Sequence, residues 1–187
     1  MRVIGGRFAG RSLVSPSGRV RPTAEALREV WMSLLQDRLE KARVVDLFAG
    51  TGALGIEAIS RGAKYCDFVE NNPAAIHALK ANVAAFRLGK RARIYDRDAI
   101  PFVERIIEVR YDIALADPPY GSRKLDRIIQ RWLEVPFATH LAVEHAHDYA
   151  LPMRGESRRL GDSAVTVFSI DPKTGRYGRI PNHVWRE

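Results

Sequence analysis

The chain has 187 residues and is 46% hydrophobic, which is enough for one buried core but leaves little room for a second full domain. Its formal charge of +8 and its isoelectric point near 10.0 favour a polyanionic partner, most commonly nucleic acid. The single cysteine, Cys66, excludes a disulfide framework and a cysteine metal site. The sequence has neither the roughly 18 consecutive apolar residues of a membrane span nor the apolar segment of a signal peptide, so we expect a cytoplasmic protein.

The N-terminal residues 1–22 are rich in glycine, arginine, serine and proline. Two apolar pairs within them, Val3-Ile4 and Leu13-Val14, predict one small hairpin, so we expect a basic arm. From Thr23 onwards apolar residues recur at helical spacing, which predicts an amphipathic helix with Thr23 as its N-cap.

After this helix, strand-like and helix-like segments alternate with short connections, a pattern typical of a parallel sheet with helices on both faces. An antiparallel pair that turns at Gly161-Asp162 follows. We therefore expect a doubly wound, Rossmann-like α/β domain over 23–171, with a mostly parallel seven-stranded sheet and an antiparallel edge, and a C-terminal tail of unknown role over 172–187. The predicted parallel strands are 43–48, 65–70, 92–96, 112–117 and 139–145, and the predicted helices are 53–61 (ended by Gly62), 73–86, 100–109 and 123–133.

The loop after the first strand, "DLFAGTGALG" at 46–55, is rich in glycine. Its three glycines fit the G-x-G-x-x-G spacing of nucleotide-binding loops, and Glu70 ends the second strand where an acid would hold ribose hydroxyls. Both features fit NAD and S-adenosylmethionine equally well. Asp46 favours the second ligand, because a carboxylate there suits an ammonium and a sulfonium but repels a pyrophosphate. Asp98, after the third strand, either accepts a hydrogen bond from an adenine amino group or caps the next helix.

The fourth strand leads into "DPPY" at 117–120, which predicts a stiff, extended bracket because proline restricts itself and the residue before it. Such a bracket aims two acceptors, the Asp117 carboxylate and the Pro118 carbonyl, at a planar exocyclic amine. Tyr120 offers its ring for stacking on the base. The alternative is a structural exit from the strand with a packed tyrosine. In open α/β sheets, ligands bind at the carboxyl ends of the strands, so we expect both loops to meet at one edge.

With both loops identified, the chain resembles class I S-adenosylmethionine-dependent amino-methyltransferases with an [Asp/Asn]-Pro-Pro-[Tyr/Phe/Trp] motif. More narrowly it resembles the RsmD family, which methylates the N2 of a guanine in bacterial 16S ribosomal RNA. The resemblance covers residues 2–170, and beyond the two loops it rests on "RVIGGRFAGRSL", on "RPTAEALRE" at 21–29, on "DLFAGTGALGIEAISRGA" at 46–63 and on Glu144 at the end of the fifth strand.

The resemblance implies direct methyl transfer to 16S RNA, which we expect to be part of an assembling small subunit. We expect a monomer, because no apolar surface pattern in the sequence demands a partner, and we expect no metal site. The resemblance implies that Asp117, Pro118, Pro119 and Tyr120 hold the guanine. It also implies that RNA is contacted, or the cleft braced, by Arg7, Arg11, Arg21, Thr23 and Arg28. S-adenosylmethionine would be bound by Asp46, Phe48, Ala49, Gly50, Gly52, Glu70, Asn71, Asp98 and Ala99.

Three other functions share parts of this pattern. A DNA adenine methyltransferase would share the bracket, although the chain has no room for a separate target-recognition domain. An NAD-dependent dehydrogenase would share the glycine loop but leaves "DPPY" unexplained. A non-catalytic RNA-binding protein would share only the charge. A metal site at His145 and His147 lacks a third ligand in the sequence pattern, so we expect structural or solvated histidines.

Overall fold

The computed structural model describes residues 1–15, 22–119, 121–171, 174 and 177. Within these residues, the sequence forms five α-helices and seven β-strands. The α-helices are α1 Pro22–Leu35, α2 Ala53–Ser60, α3 Pro73–Ala85, α4 Ala99–Glu104 and α5 Lys124–Glu134. The strands are β1 Arg43–Leu47, β2 Tyr65–Glu70, β3 Ala92–Asp96, β4 Tyr111–Ala116, β5 Ala138–Ala146, β6 Glu156–Leu160 and β7 Ser163–Ser169.

The strands of the described residues form one mixed sheet in the order β3-β2-β1-β4-β5-β7-β6. The first five strands pair in parallel, β7 runs antiparallel to β5, and β6 pairs antiparallel with β7. The predicted doubly wound sheet with an antiparallel edge is therefore confirmed. Strand order reverses between β1 and β4, which is where ligands bind in open α/β sheets.

Helices cover both faces of the sheet and create two apolar cores. One core lies between the sheet and α1, α2 and α3, and includes Trp31, Phe68 and Leu115. The other lies under α4 and α5 and includes Trp132 and Phe168. Within the described part of the chain, no helix is both long and apolar enough to cross a membrane.

Two predicted helix boundaries are wrong. The helix predicted for 100–109 ends at Glu104, because the Arg131 guanidinium from α5 donates to the carbonyls of Glu104 and Ile106 (3.3 and 2.7 Å) and so satisfies the end of α4. The first helix begins at Pro22, so Thr23 lies within its first turn and is not the N-cap. Proline suits this position because the first turn has no intrahelical partner for its missing N–H.

The N-terminal arm is part of the folded body. Its predicted pairing is confirmed as a short antiparallel contact, with a bridge between Arg2 and Ser12 and a hydrogen bond from the Leu13 N–H to the Met1 carbonyl (2.8 Å). The side chains of Val3, Phe8 and Leu13 are buried in the core beneath α1 and α2. The predicted tail lies outside the described residues except for Thr174 and Tyr177, and Tyr177 bridges to Ile170.

A buried carboxylate on α2, Glu57, holds the arm in place. Its two oxygens accept hydrogen bonds from the backbone N–H groups of Ile4 and Gly5, both at 2.8 Å. The same carboxylate receives Arg61 Nε (2.9 Å) and lies 3.5 Å from Nε of the buried Arg28 on α1. Glu57 is fully buried, so the arm, α1 and α2 share one charged centre. We call these five residues the Glu57 cluster.

Replacing Glu57 with glutamine should lower the free energy of unfolding by about 3 to 5 kcal/mol, because it leaves a buried guanidinium without its counter-charge. Urea denaturation measures this change. Glu104→Gln is the matched control, because its exposed pair with Arg127 is worth less than about 1 kcal/mol. Equal losses in the two variants would contradict the role of the cluster.

Candidate functional site

Three acids lie on one face of the sheet at the carboxyl ends of neighbouring strands. Asp46 pairs in register with Leu115, and Ala116 pairs with Val143, so Asp117 and Glu144 follow at equivalent positions of β4 and β5. Since side chains alternate along a strand and register partners share a face, all three carboxyl groups point towards the side covered by α1. The parallel register therefore brings the three acids together.

These acids line a cavity of about 250 Å³ between the glycine loop and α1. From the predicted cofactor residues, Asp46, Phe48, Ala49 and Gly50 line it. The opposite wall comes from Leu27, Arg28 and Trp31 of α1 and from Met1 of the arm. The α1 side of the cavity thus combines apolar side chains with the Arg28 guanidinium, and the sheet side is acidic.

The three glycines of the loop serve different purposes. A Cβ on Gly50 would meet nothing within 4 Å, and its φ of +54° is one that glycine adopts without strain. A Cβ on Gly52 would lie 2.4 Å from Leu79 Cδ1, and one on Gly55 would lie 2.4 Å from Phe68 Cε1. Of these three glycines, only Gly50 therefore leaves its backbone open to the cavity, whereas Gly52 allows α3 to approach the loop and Gly55 allows α2 to pack closely on β2.

Phe48 has a left-handed backbone, with a φ of +63°, directly after β1. This conformation is costly for a bulky residue and is found most often where a functional loop is held by its surroundings. Lys124 Nζ lies 5.4 Å from the centre of the Phe48 ring and pairs with Asp98 (3.3 Å). The lysine thus links the glycine loop to the loop after β3.

The Asp46 carboxyl group is buried and accepts one hydrogen bond, from the Gly55 N–H at 2.9 Å. Burial raises its pKa from 3.8 to about 7, and the negative charge of Glu70 adds to the increase, while the Gly55 hydrogen bond opposes it. A cation in the cavity would favour the ionised form of this group. Asp46 therefore suits a positively charged ligand.

The remaining predicted cofactor residues lie further along the same edge and do not line this cavity. Glu70 accepts the backbone N–H of Gly50 (2.7 Å) and of Asn71 (2.9 Å), which ties the second strand to the glycine loop. Asp98 precedes Ala99 and caps α4 by accepting a hydrogen bond from the Ile100 N–H (2.9 Å). Helix capping is one of the two roles that the sequence predicts for Asp98. Burial disfavours ionisation of Asp98, but the Ile100 N–H and Lys124 outweigh it and lower its pKa.

Asp117 lies between this first cavity and a second one of about 260 Å³. The second cavity is lined by Pro118 and Pro119 of the bracket, and Glu144 lines both cavities with Asp117. Asp117 is exposed when the surface of the whole residue is counted, whereas protein atoms surround its carboxyl group densely. This limited hydration raises the pKa of Asp117, and the negative charges of Glu144 and Asp46 raise it further. Tyr120 lies outside the described residues.

The predicted RNA-contacting arginines fall into two environments. Arg7 and Arg11 are exposed on the arm and lie over the Phe8 ring at 5.5 and 5.4 Å, and Arg91 approaches the same ring at 5.9 Å. Arg28 is only 4% exposed and belongs to the Glu57 cluster, so its position fits bracing rather than a phosphate contact. Arg21 and the side chain of Thr23 lie outside what the structure describes.

Sequence reasoning assigned no role to several residues at the site. Glu144 and Lys124 contact predicted residues across strand and loop boundaries, and Trp31 forms the cavity wall. Glu144 could have been identified from the strand pattern of the sequence. It lies near the end of β5, which runs parallel to the strand that precedes Asp117. The contacts of Lys124 and Trp31 depend on packing between elements that are distant in the chain.

Comparisons with known proteins agree with this geometry. Residues 1–156 match the sequence model of the family described as "Conserved hypothetical protein 95". The Bacillus subtilis protein called "Putative rRNA methyltransferase YlbH" is 35% identical over 176 residues, which cover 89% of this chain and 91% of that protein. "Ribosomal RNA small subunit methyltransferase D" of Escherichia coli strain K12 is 35% identical over 130 residues, covering 69% of this chain and 65% of that protein. The solved structure of yhhF from Escherichia coli superimposes with a TM-score of 0.78 at 27% identity, covering 90% of this chain and 97% of that one.

The buried Asp46 gives stability a specific pH dependence. Its pKa is higher in the folded than in the unfolded state, so the group stabilises the fold at low pH and this contribution is lost as the pH rises through about 7. Asp46→Asn should therefore gain about 2 to 3 kcal/mol relative to the wild type between pH 5 and pH 8. Urea unfolding at the two pH values measures this difference.

Asp112→Asn is the control for this measurement. Burial disfavours ionisation of Asp112, but its hydrogen bonds from Arg43 outweigh that effect and lower its pKa, so the group is ionised at both pH values. Its relative stability should not change between pH 5 and pH 8. A parallel response of the two variants would show that Asp46 titrates like an ordinary carboxyl group.

Proposed function

Because this chain belongs to the family described as conserved hypothetical protein 95, we propose that it transfers a methyl group from S-adenosylmethionine to the exocyclic N2 amine of a guanine in bacterial 16S ribosomal RNA. One observation carries the proposal: the acid-lined cavity beside the glycine loop and the cavity beside the Asp-Pro-Pro bracket share Asp117 as a common wall. The small-subunit rRNA methyltransferase name of the Escherichia coli relative supports the choice of RNA.

The residues present fit S-adenosylmethionine. Asp46 offers a carboxylate to a cationic ligand, and the open backbone of Gly50 permits close approach to the loop. Glu70 would hold ribose hydroxyls, with Phe48, Ala49, Gly52, Asn71, Asp98 and Ala99 completing the site along the same edge. When bound, the cofactor supplies an electrophilic methyl group on a sulfonium. The Asp46 carboxylate at the end of β1 would repel a pyrophosphate, which argues against NAD.

The Asp-Pro-Pro bracket would orient the target amine. The Asp117 carboxyl group and the Pro118 carbonyl accept the two N–H bonds of a planar exocyclic amine, which aims the nitrogen lone pair towards the first cavity. Tyr120 would stack on the base after it has left its helical stack. Alignment of the amine with the methyl group is then the main contribution of the protein to catalysis.

The arm would bring RNA to this cleft. Arg7 and Arg11 stay exposed while their guanidinium groups pack on aromatic rings, which limits the entropy lost when they bind phosphate. With the excess positive charge of the chain, this supports an RNA substrate. We further propose that this RNA is rRNA within an assembling small subunit and that the protein works as a cytoplasmic monomer.

A DNA adenine-N6 methyltransferase is the second candidate, because the same bracket accepts the adenine amine. A tritiated methyl-transfer assay separates the candidates by offering small subunits from a strain lacking the enzyme, free 16S RNA and duplex DNA side by side. We expect label in the ribosomal substrate that digests to N2-methylguanosine. Label in DNA, or S-adenosylmethionine binding without transfer to any RNA, would contradict the proposal.

Asp117→Ala should reduce methyl transfer by more than about 100-fold, because the amine loses the acceptor that orients it. Affinity for S-adenosylmethionine, measured by calorimetry, should change little, since the proposed cofactor contacts lie at the ends of β1, β2 and β3 and in the loops that follow them. Turnover within tenfold of the wild type would rule out this role. Asp126→Ala, on the far wall of the second cavity, controls for loss of a nearby carboxylate.

The Arg7→Ala/Arg11→Ala double variant should weaken RNA binding and reduce the slope of log affinity against log salt by about 1 to 2, because each arginine neutralises a phosphate. Filter binding of a 16S transcript at several salt concentrations measures the slope. Arg127→Ala is the control, because Arg127 pairs with Glu104 on the other face of the sheet. An unchanged slope in the double variant would remove the arm from the RNA-binding surface.

A further inference from the structure

Glu144 has no part in the function proposed so far, yet it lies at the point where the two cavities meet. It occupies the position of β5 equivalent to that of Asp117 after β4, and it is only 9% exposed. Its Oε1 accepts a hydrogen bond from Ser163 Oγ of β7 (3.2 Å). Asp117 and Glu144 line both cavities together, and the charge and hydrogen-bonding capacity of the nearby Glu144 favour the protonated form of Asp117.

Two carboxylates at neighbouring strand positions repel each other, because both carry a negative charge. The fully ionised pair therefore binds one proton more tightly than a lone carboxylate does, and the two groups then share that proton. The fully ionised pair is thus the form that can accept a proton from a substrate.

We propose that Asp117 and Glu144 act as one proton-sharing pair that accepts the proton lost by the target amine, with Glu144 as the positioning residue. This inference rests on the proposed methyl transfer. When the amine nitrogen bonds to the methyl carbon, the methyl–sulfur bond breaks and its electron pair stays on sulfur. The nitrogen then carries a positive charge, which it loses by giving one N–H proton to the Asp117 carboxylate.

The arrangement explains why a buried acid stands behind the bracket. A lone Asp117 would be a weak proton acceptor, because an ordinary aspartate binds protons poorly at neutral pH. Beside Glu144, the pair has a higher affinity for protons, so it takes the proton from the amine more readily. Glu144 thus acts on the substrate through Asp117.

Other charged and titratable groups face the pair from the neighbouring elements. Burial and a hydrogen bond to Asp126 raise the pKa of Tyr149 to about 12, so this phenol stays neutral. His145 contacts Thr166 and the Ala146 carbonyl through its two ring nitrogens. The remaining charged groups that line the two cavities are Asp46 of β1, Arg28 of α1, the amino group of Met1, and Arg123 and Asp126 at the start of α5.

The proton sharing can be tested without RNA or cofactor by ¹³C NMR titration of the side-chain carboxyl groups. In the wild type, the Asp117 carboxyl group should titrate well above the ordinary range of about 3 to 5. In Glu144→Gln, it should titrate at least about one pH unit lower, because a negative neighbour has been removed. Titration of the wild-type Asp117 within the ordinary range would overturn the proposal whatever the function of the protein.

The acceptor role is tested by the pH profile of single-turnover methyl transfer to small subunits at saturating S-adenosylmethionine. The wild-type rate should fall as the pH drops through the pKa of the pair. The midpoint in Glu144→Gln should lie lower by at least about one pH unit, whereas a purely structural role for Glu144 would change the rate but not the midpoint. Asp112→Asn, which removes a carboxylate from the other end of β4, should keep the wild-type midpoint.

The outcomes separate the two proposals. A raised titration together with a shifted midpoint supports the proton-sharing pair. A raised titration with an unshifted midpoint overturns the acceptor role and leaves the methyl transfer standing. Absence of transfer by the wild type to every RNA overturns the proposed function and the acceptor role with it, while the NMR titration still decides whether the pair shares a proton.

Discussion

The parallel register of β1, β4 and β5 is the constraint on which the site depends. It places Asp46, Asp117 and Glu144 on one face and at one end of neighbouring strands, where no short loop could gather them as closely. The pKa values of Asp46 and Asp117 rise because limited hydration disfavours their charged forms, and the negative charges of neighbouring acids raise these values further. The sheet thereby creates a cleft that favours cations and protons.

The surroundings of the cleft are fixed by contacts that are not themselves part of it. Close packing at Gly52 and Gly55 sets the position of α2, and the Glu57 cluster on α2 holds both the arm and α1. The wall that closes the first cavity therefore depends on the buried ion pair between Arg28 and Glu57. A change at Glu57 should affect both the stability of the fold and the shape of this cavity.

Much of the sheet was predictable because each strand carries a short apolar run bounded by turn residues. Strands β2 and β3 match their predicted bounds, and the antiparallel pair turns at Gly161 as expected. Helix α4 was overestimated because the apolar pattern continues to Val109, while the arginine that ends the helix comes from α5. Local sequence does not show which distant side chain will satisfy a helix end.

The site was predictable to the extent that it follows from strand ends and motif chemistry. Asp46 and Asp117 could be placed at one edge from the alternation of strands and helices alone. The arm was expected to be a separate basic segment, but three apolar side chains anchor it in the core, and Glu57 was not recognised as its partner. Buried charge pairs between distant segments leave no periodic signal in the sequence.

The position of Met1 has a practical consequence. Its side chain contributes to the wall of the first cavity, opposite the acids, while its carbonyl is held by Leu13. A peptide fused ahead of Met1 would therefore begin beside that cavity, and the lysines or arginines of a cationic tag would be attracted to its acidic wall. Affinity for a cationic ligand is best measured on protein without such an N-terminal extension.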